Sequence, residues 1–192
     1  MKMESTTKPL RVAIAGLGAI GKSLATRLTE GAVPGVVLTA VSAKNQDKAK
    51  EFVGTLAYPV KVLSISELEP EADVVVECAP AELLSDIVAP FLRAKKKAIV
   101  LSVGAILFKP ELIELAKTTG GKIMVPTGAL IGLDAMVAAA EGEIFSVKMV
   151  TNKPPLGLKG APHLIENNIS VDGLTQPLKV FSGNAREAAK VF

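Results

Sequence analysis

Cysteine, histidine and aromatic residues are scarce in this sequence, which contains one cysteine, one histidine and no tryptophan. The single cysteine, Cys78, excludes an internal disulfide framework and favours a reducing compartment, so we predict a cytoplasmic protein. Because no histidine or cluster of cations accompanies Cys78, we interpret it as a buried small residue rather than a reactive thiol. The chain also lacks metal-ligand spacing, a nucleophile elbow and a P-loop lysine, so we expect no metal site.

Long apolar runs and strong net charge are also missing. The longest mostly apolar run, residues 98–108, is too short to span a bilayer, which takes roughly 20 residues. The net charge is only +3, and the one basic run, residues 95–97, separates a helix pattern from a strand pattern. We therefore expect neither a membrane nor a nucleic acid as a partner.

The sequence does contain a regular alternation of strand and helix patterns. Strands are predicted at residues 10–15, 36–41, 74–77, 98–103 and 122–125, and helices after Gly18 and at residues 49–53, 81–93 and 110–117. Ile20, Leu24 and Leu28 recur every four positions and predict the apolar side of the first helix. Pro110 suits the start of the last helix and Gly120 its end. The alternation predicts an α/β fold with a doubly wound parallel Rossmann sheet.

The pattern changes after residue 126, so we divide the chain into a first domain, residues 1–126, and a second domain, residues 127–192. The second is predicted to contain a helix and two strands, at residues 129–141, 144–150 and 178–181. Asn184 and Glu187 have the spacing of a capping box and predict one more helix. Because that helix has no stop signal before Phe192, we expect a truncated chain with an incomplete second α/β domain.

Three glycines occupy the turn between the first strand and the first helix, in the run Gly-Leu-Gly-Ala-Ile-Gly at residues 16–21. The first permits a tight turn, the second lets the backbone approach a pyrophosphate, and the third brings the helix close to the sheet. The helix N-terminus offers free N–H groups to the phosphates. We predict that a dinucleotide is bound by Gly16, Gly18, Ala19, Ile20 and Gly21.

The end of the second strand bears on the choice between NAD and NADP. An acidic residue there would bind the adenosine ribose hydroxyls, but the sequence reads Ser42, Ala, Lys44, Asn. Since no carboxylate repels a 2′-phosphate and both Ser42 and Lys44 are possible donors, we favour NADP or dual specificity. The alternative is that Lys44 is a surface residue and that NAD binds through other contacts.

Small residues follow the next two central strands, whose carboxyl ends line the cofactor crevice in such a sheet. Contacts with the cofactor are predicted from Cys78, Ala79, Pro80, Ser102, Val103 and Gly104. Hydride transfer is then the natural chemistry, because the cofactor carries the reaction and the protein orients the partners. His163 lies in a predicted loop, and we interpret it as incidental rather than catalytic.

Four segments carry a resemblance to a known family. They read Val-Glu-Cys-Ala at 76–79, Leu-Ser-Val-Gly-Ala at 101–105, Pro-Thr-Gly-Ala-Leu-Ile-Gly-Leu-Asp-Ala at 126–135 and Thr-Asn-Lys-Pro-Pro at 151–155. Together with the ending at residues 182–192, they resemble the L-aspartate dehydrogenase family over nearly the whole chain.

The resemblance implies oxidation of L-aspartate with NAD or NADP to iminoaspartate, which gives oxaloacetate and ammonia or feeds NAD biosynthesis. It also implies that Ala129 contacts the cofactor and that Thr151 and Lys153 bind the dicarboxylate substrate, although a solvated loop stays open for the last two. The family's catalytic histidine lies beyond Phe192 and is not matched by His163. If the chain ends there, we expect cofactor binding without aspartate oxidation. We expect a homodimer in the complete protein.

Two other interpretations stay open. One is a different NADP-linked reductase of amino-acid metabolism, resembling homoserine dehydrogenase or dihydrodipicolinate reductase. The other is a non-catalytic module that binds a dinucleotide. Substrate-dependent consumption of the cofactor separates the enzymes from the module.

Overall fold

The computed structural model describes residues 8–128 and 130–191. Contacts between residues divide the chain into two compact units, and the boundary in the sequence falls between Pro126 and Thr127. The elements of the first unit are β1 (Leu10–Ala15), α1 (Ala19–Thr29), β2 (Val36–Ser42), α2 (Gln46–Val53), β3 (Lys61–Val62), α3 (Leu68–Glu71), β4 (Val74–Glu77), α4 (Leu84–Arg93), β5 (Lys97–Val100), α5 (Val103–Ile106), α6 (Pro110–Thr119) and β6 (Lys122–Met124). None of the described helices is long and apolar enough to cross a membrane.

The strands of the first unit form one parallel sheet in the order β3-β2-β1-β4-β5-β6. The chain begins in the middle of the sheet, winds outward to β3, and then returns to the other side of β1 as β4. This is the strand order of a doubly wound Rossmann sheet, and it confirms the predicted fold class. The winding direction reverses between β1 and β4, and sheets of this kind bind ligands beyond the carboxyl ends of their strands at that point.

Both faces of the sheet are buried, because successive side chains of a strand point to opposite faces. In β1, Ile14 packs in one hydrophobic cluster with Leu28 of α1, whereas Ala13 packs in a second cluster with Phe91 of α4. Burial on both faces explains why the central strands are continuous apolar runs instead of alternating patterns. The two layers of helices thus hold the ends of the central strands in fixed positions.

The predicted element boundaries in this unit differ from the structure mainly at the ends. α2 begins at Gln46, before the predicted start, because the side chain of Asn45 accepts a hydrogen bond from the Lys48 N–H and caps the helix. α6 begins at its proline and ends before Gly120, which has the left-handed φ of +81° that favours glycine. β5 ends at Val100, earlier than predicted, because the residues that follow turn toward a buried carboxylate at the end of β4.

The second unit contains α7 (Leu133–Ala139), α8 (Pro162–Glu166) and α9 (Ala185–Val191). The predicted strands at residues 144–150 and 178–181 are wrong, because neither segment forms a strand. A strand needs a neighbour for its backbone hydrogen bonds, and no partner strand forms within residues 130–191. Phe145, in the first of these segments, is 88% exposed.

The helices of the second unit follow local sequence signals more closely. The predicted helix at residues 129–141 is shorter in the structure, where α7 begins only after Gly132, a residue with a φ of +90°. The capping box before α9 is confirmed. The Glu187 N–H donates to Asn184 Oδ1 at 3.0 Å, and the Asn184 N–H donates to Glu187 Oε2 at 2.8 Å.

Candidate functional site

The backbones of β1, β2 and β4 converge at Gly16. The Gly16 N–H donates to the Ser42 carbonyl oxygen at 2.7 Å, and the Cys78 N–H donates to the Ala15 carbonyl oxygen at 2.7 Å. Gly16 has a φ of +103°, and a Cβ added to it would overlap the carbonyl oxygen of Cys78. Both the backbone conformation and the close approach therefore require glycine at this position.

Gly21 packs the first turn of α1 against the same point. A Cβ added to Gly21 would overlap the carbonyl oxygen of Gly16 and would lie 3.5 Å from the side chain of Ile14. The helix approaches the sheet this closely only with glycine at this position. Packing within the protein therefore accounts for Gly16 and Gly21.

Gly18 differs from the other two glycines of the turn. It is the N-cap of α1 with φ −73° and ψ −164°, an extended conformation that any residue adopts, and an added Cβ would meet no atom within 4 Å. No side chain caps this helix. The space and the free N–H groups at the start of α1 fit a pyrophosphate, whose oxygens accept hydrogen bonds from such groups.

The other two predicted residues of the turn, Ala19 and Ile20, are exposed in the first turn of α1. Ile20 is 61% exposed, so its predicted place on the apolar side of the helix is wrong. Leu28 lies on that side as predicted, together with Gly21 and Ala25. The contact between Gly21 and the turn sets the rotation of the helix, and this rotation leaves Ile20 outside, beside the open N-terminus.

The end of β2 presents one of its two candidate donors to solvent. Ser42 is buried, with 4% of its surface exposed, whereas Lys44 is exposed. The side chain of Asn45 is engaged in capping α2. Lys44 forms no salt bridge with any residue that the structure describes. Lys44, rather than Ser42, is therefore available to an anionic group at this end of the sheet.

The predicted segments after β4 and β5 lie side by side, and a residue that the sequence did not single out joins them. Glu77, the last residue of β4, is fully buried. Its Oε1 accepts hydrogen bonds from the Ala79 N–H and the Ser102 hydroxyl, both at 3.0 Å. Its Oε2 accepts the Leu101 N–H at 3.1 Å and the Ser102 N–H at 2.9 Å. The only sequence signal for this role is a carboxylate that directly follows three valines in a central strand.

The remaining residues of these segments lie at the surface of the same edge. Cys78, Ala79, Ser102 and Gly104 are half-buried, whereas Pro80 and Val103 are exposed. Burial, and after it the negative charge of Glu77, raises the pKa of the Cys78 thiol to about 11. Cys78 is therefore a protonated thiol at neutral pH, which agrees with its interpretation as a small packing residue.

His163 holds two parts of the second unit together. It lies in α8 rather than in the predicted loop, and its ring packs edge-on against Phe181 with the ring centres 5.6 Å apart. Nε2 is 3.1 Å from the Val180 carbonyl oxygen, and Nδ1 is 3.2 Å from the amide nitrogen of Asn167. Because a carbonyl only accepts, Nε2 carries the proton and Nδ1 accepts from the amide. These contacts give His163 a structural role.

Three further candidate residues belong to the second part of the chain. Thr151 and Lys153 are exposed in a segment without helix or strand. Ala129 lies outside the residues that the structure describes. The predicted roles of these three residues therefore stay predictions.

The doubly wound sheet and the glycine turn against an open helix N-terminus define a nicotinamide-dinucleotide-binding oxidoreductase domain. Residues 16–126 match the family model of the homoserine dehydrogenase NAD binding domain, and residues 134–192 match that of the aspartate dehydrogenase C-terminal region. The chain is 55% identical over 188 residues to L-aspartate dehydrogenase 3 of Bordetella bronchiseptica, covering 98% of this chain and 69% of that protein. It is 51% identical over 192 residues to the L-aspartate dehydrogenase of Bradyrhizobium diazoefficiens, covering 100% of this chain and 68% of that protein. The chain belongs to the L-aspartate dehydrogenase family.

Solved structures show the same fold at lower identity. A probable dehydrogenase from Thermotoga maritima aligns with a TM-score of 0.58 at 22% identity, covering 69% of this chain and 41% of that chain. A biliverdin reductase from Synechocystis, in complex with biliverdin and NADP+, aligns with a TM-score of 0.53 at 20% identity, covering 77% of this chain and 49% of that chain. The chain thus spans less than half of each of these structures.

Proposed function

We propose that this chain provides the NAD(P)-binding domain and part of the substrate domain of an enzyme that oxidises L-aspartate. The supporting observation is the contrast among the three glycines of the turn, since only Gly18 faces open space. The bound nicotinamide supplies hydride acceptance. The residues of the chain hold and orient the dinucleotide, with the pyrophosphate at the turn of residues 16–21 and the rest along the segments of residues 78–80 and 102–104.

Binding and turnover are tested separately, since the chain spans about two thirds of the length of its curated relatives. Titration of the purified chain with NADPH and NADH tests binding. Incubation with the oxidised cofactor and either L-aspartate or homoserine, followed by the absorbance of the reduced cofactor, tests turnover. We expect these residues to bind the dinucleotide, and a protein that also carries the family's catalytic histidine to turn over L-aspartate. Turnover of homoserine alone would assign a different enzyme, and binding without turnover by that longer protein would assign a non-catalytic module.

NADP is the proposed preference, and Lys44 is the residue that supports it. The exposed ammonium of Lys44 is placed after β2, where residues 42–45 contain no carboxylate that would repel a 2′-phosphate. We expect Lys44→Ala to weaken NADPH binding by about 10-fold, the loss of one charge-assisted hydrogen bond, with little effect on NADH. Lys48→Ala is the matched control, an exposed lysine in the first turn of α2. A wild-type preference for NADH, or an equal loss for both cofactors in Lys44→Ala, would contradict the proposal.

The substrate is proposed to be L-aspartate, held in part by Thr151 and Lys153. A dicarboxylate requires cations and hydroxyl or N–H donors, and both side chains are exposed and available. Where turnover is measured, Lys153→Ala is expected to raise the KM for L-aspartate while the affinity for the cofactor stays unchanged. We also propose a homodimer, which light scattering of the purified protein tests.

A further inference from the structure

Glu77 is a buried carboxylate at the point of the sheet where the winding direction reverses. In the register of the sheet it lies beside Ala15 of β1 on one side and Val100 of β5 on the other. None of its surface is exposed, and it forms no salt bridge with residues 8–128 or 130–191. Burying a carboxylate without a cation is costly unless hydrogen bonds satisfy it. Both the position of Glu77 and the energetic cost of burying its charge indicate a role beyond packing.

Glu77 accepts four hydrogen bonds, and their donors lie in the two segments that follow β4 and β5. Three are backbone N–H groups, of Ala79, Leu101 and Ser102, and the fourth is the Ser102 hydroxyl. Each carboxylate oxygen therefore accepts two hydrogen bonds, Oε1 from Ala79 and the Ser102 hydroxyl and Oε2 from the N–H groups of Leu101 and Ser102. The contacts cross from the end of β4 to the end of β5, so one side chain determines the spacing and the shape of both segments.

The two segments lie on the side of the reversal point opposite to the glycine turn. The turn and the end of β2 belong to the half of the sheet that binds the adenosine side of a dinucleotide, with the pyrophosphate at α1. The dinucleotide crosses the crevice, so its nicotinamide half extends over the ends of β4 and β5. Residues 78–80 and 101–104, which Glu77 joins, are the surface of this second half.

We propose that Glu77 is a positioning residue, whose buried carboxylate holds the segments after β4 and β5 in the shape that accepts the nicotinamide half of the cofactor. The inference rests on the proposed binding of a dinucleotide at the turn of residues 16–21. It predicts that the loss of the carboxylate affects one half of the ligand and leaves the other half unaffected. A purely structural link between two strands would affect both halves equally or neither.

Glu77→Gln removes the carboxylate with almost no change in volume. The amide has one acceptor oxygen, so its NH2 group must face either the Ala79 N–H or the two N–H groups of Leu101 and Ser102. A buried donor then faces another donor in either orientation. The least costly arrangement directs the NH2 group toward Ala79 and the Ser102 hydroxyl, which can rotate to accept. The segment at residues 78–80 therefore loses its anchor.

The experiment measures the affinities of the wild type and of Glu77→Gln for NADP+ and for 2′-phospho-ADP-ribose, which lacks the nicotinamide. We expect Glu77→Gln to bind NADP+ about 10-fold more weakly, the effect of one lost hydrogen bond that leaves a buried donor unpaired, while its affinity for 2′-phospho-ADP-ribose stays unchanged. Asp73→Asn is the matched control, an acid-to-amide change just before the opposite end of β4, and we expect it to change neither affinity.

Each outcome bears on one proposal. Failure of the wild type to bind either probe would overturn the proposed NADP preference, and failure to bind NAD+ and ADP-ribose as well would overturn the proposed function. Binding of both probes by the wild type, with equal losses or no loss in Glu77→Gln, would overturn only the role of Glu77. If Glu77→Gln does not fold, as judged by circular dichroism, Glu77→Asp replaces it. Glu77→Asp keeps the charge but retracts the carboxylate from its donors, and we expect the same selective loss of NADP+ affinity.

Discussion

Replacement of Gly18 by alanine separates a glycine required by a ligand from glycines required by the fold. Its conformation suits any residue and an added Cβ meets no atom within 4 Å, so the protein itself accommodates the methyl group. Alanine caps a helix less well than glycine, by about 1 kcal/mol, whereas restriction of the unfolded chain contributes about 0.4–1 kcal/mol in the opposite direction. The free energy of unfolding should therefore change by less than about 1 kcal/mol.

The same methyl group lies where the backbone is expected to approach the pyrophosphate. Overpacking of a closely fitted site costs about 1–3 kcal/mol, which corresponds to a loss of affinity of about 5- to 150-fold. The control is Gly21→Ala, whose Cβ would overlap the Gly16 carbonyl oxygen. This backbone overlap should reduce the free energy of unfolding by about 3 kcal/mol or more, a large share of a typical total of about 5–15 kcal/mol.

Two assays test whether Gly18 is required by the ligand and Gly21 by the fold. Urea unfolding followed by circular dichroism gives the free energies of unfolding, and NADPH titration gives the affinities. The sequence has no tryptophan, so the emission of the bound NADPH is followed directly. Gly18→Ala with wild-type affinity for NADPH would refute the assignment of the open space to the pyrophosphate. A Gly18→Ala variant as unstable as Gly21→Ala would refute the structural distinction between the two glycines.

Three further predictions concern stability and reactivity. The hydrogen bond from Arg11, at 2.6 Å, lowers the pKa of Asp73. The ionised carboxylate therefore stabilises the folded state at neutral pH, and this stability is lost as the pH falls through the lowered pKa. The free energy of urea unfolding should depend less on pH in the acidic range in Asp73→Asn than in the wild type. The raised pKa of Cys78 contributes stability that is present below pH 9.0 and lost as the pH rises toward about 11, and a thiol reagent at neutral pH should label the native protein far more slowly than the urea-unfolded protein. Phe91 is 1% exposed, so Phe91→Ala should lower the free energy of unfolding, measured by urea unfolding, by about 3–5 kcal/mol. Phe145 is 88% exposed, so Phe145→Ala should lower it by less than about 0.5 kcal/mol.

The sequence predicts the first unit well because its signals are strong and local. Strands buried on both faces are continuous apolar runs, and Pro110 and Gly120 mark the ends of a helix through backbone geometry alone. β3, α3 and α5 escaped prediction because two or four residues are too few to produce a periodic pattern. Element length, rather than a wrong interpretation of composition, explains these omissions.

The errors in the second unit and the omission of Glu77 have a different cause. Residues 144–150 have the composition of a strand, but a strand depends on a partner that no local pattern reveals. Three of the four donors to Glu77 belong to Leu101 and Ser102, 24 and 25 positions further along the chain. Its importance therefore emerges only when β4 and β5 lie side by side. The glycine turn was predictable because the spacing of its glycines lies within one short run of residues, although Gly16 also contacts Ser42 and Cys78.

The convergence of Gly16, Gly21 and Cys78 at one point has a consequence for anyone redesigning this protein. The backbones of three chain segments contact one another there, so a substitution at Gly16 or Gly21 disturbs β1, β4 and α1 together. In the loop at residues 43–45 only Asn45 has a structural contact, as the cap of α2, and the side chains of residues 43 and 44 are partly or fully in solvent. Substitutions meant to change the preference between NAD and NADP should therefore begin at residues 43 and 44 and leave Gly16 and Gly21 unchanged.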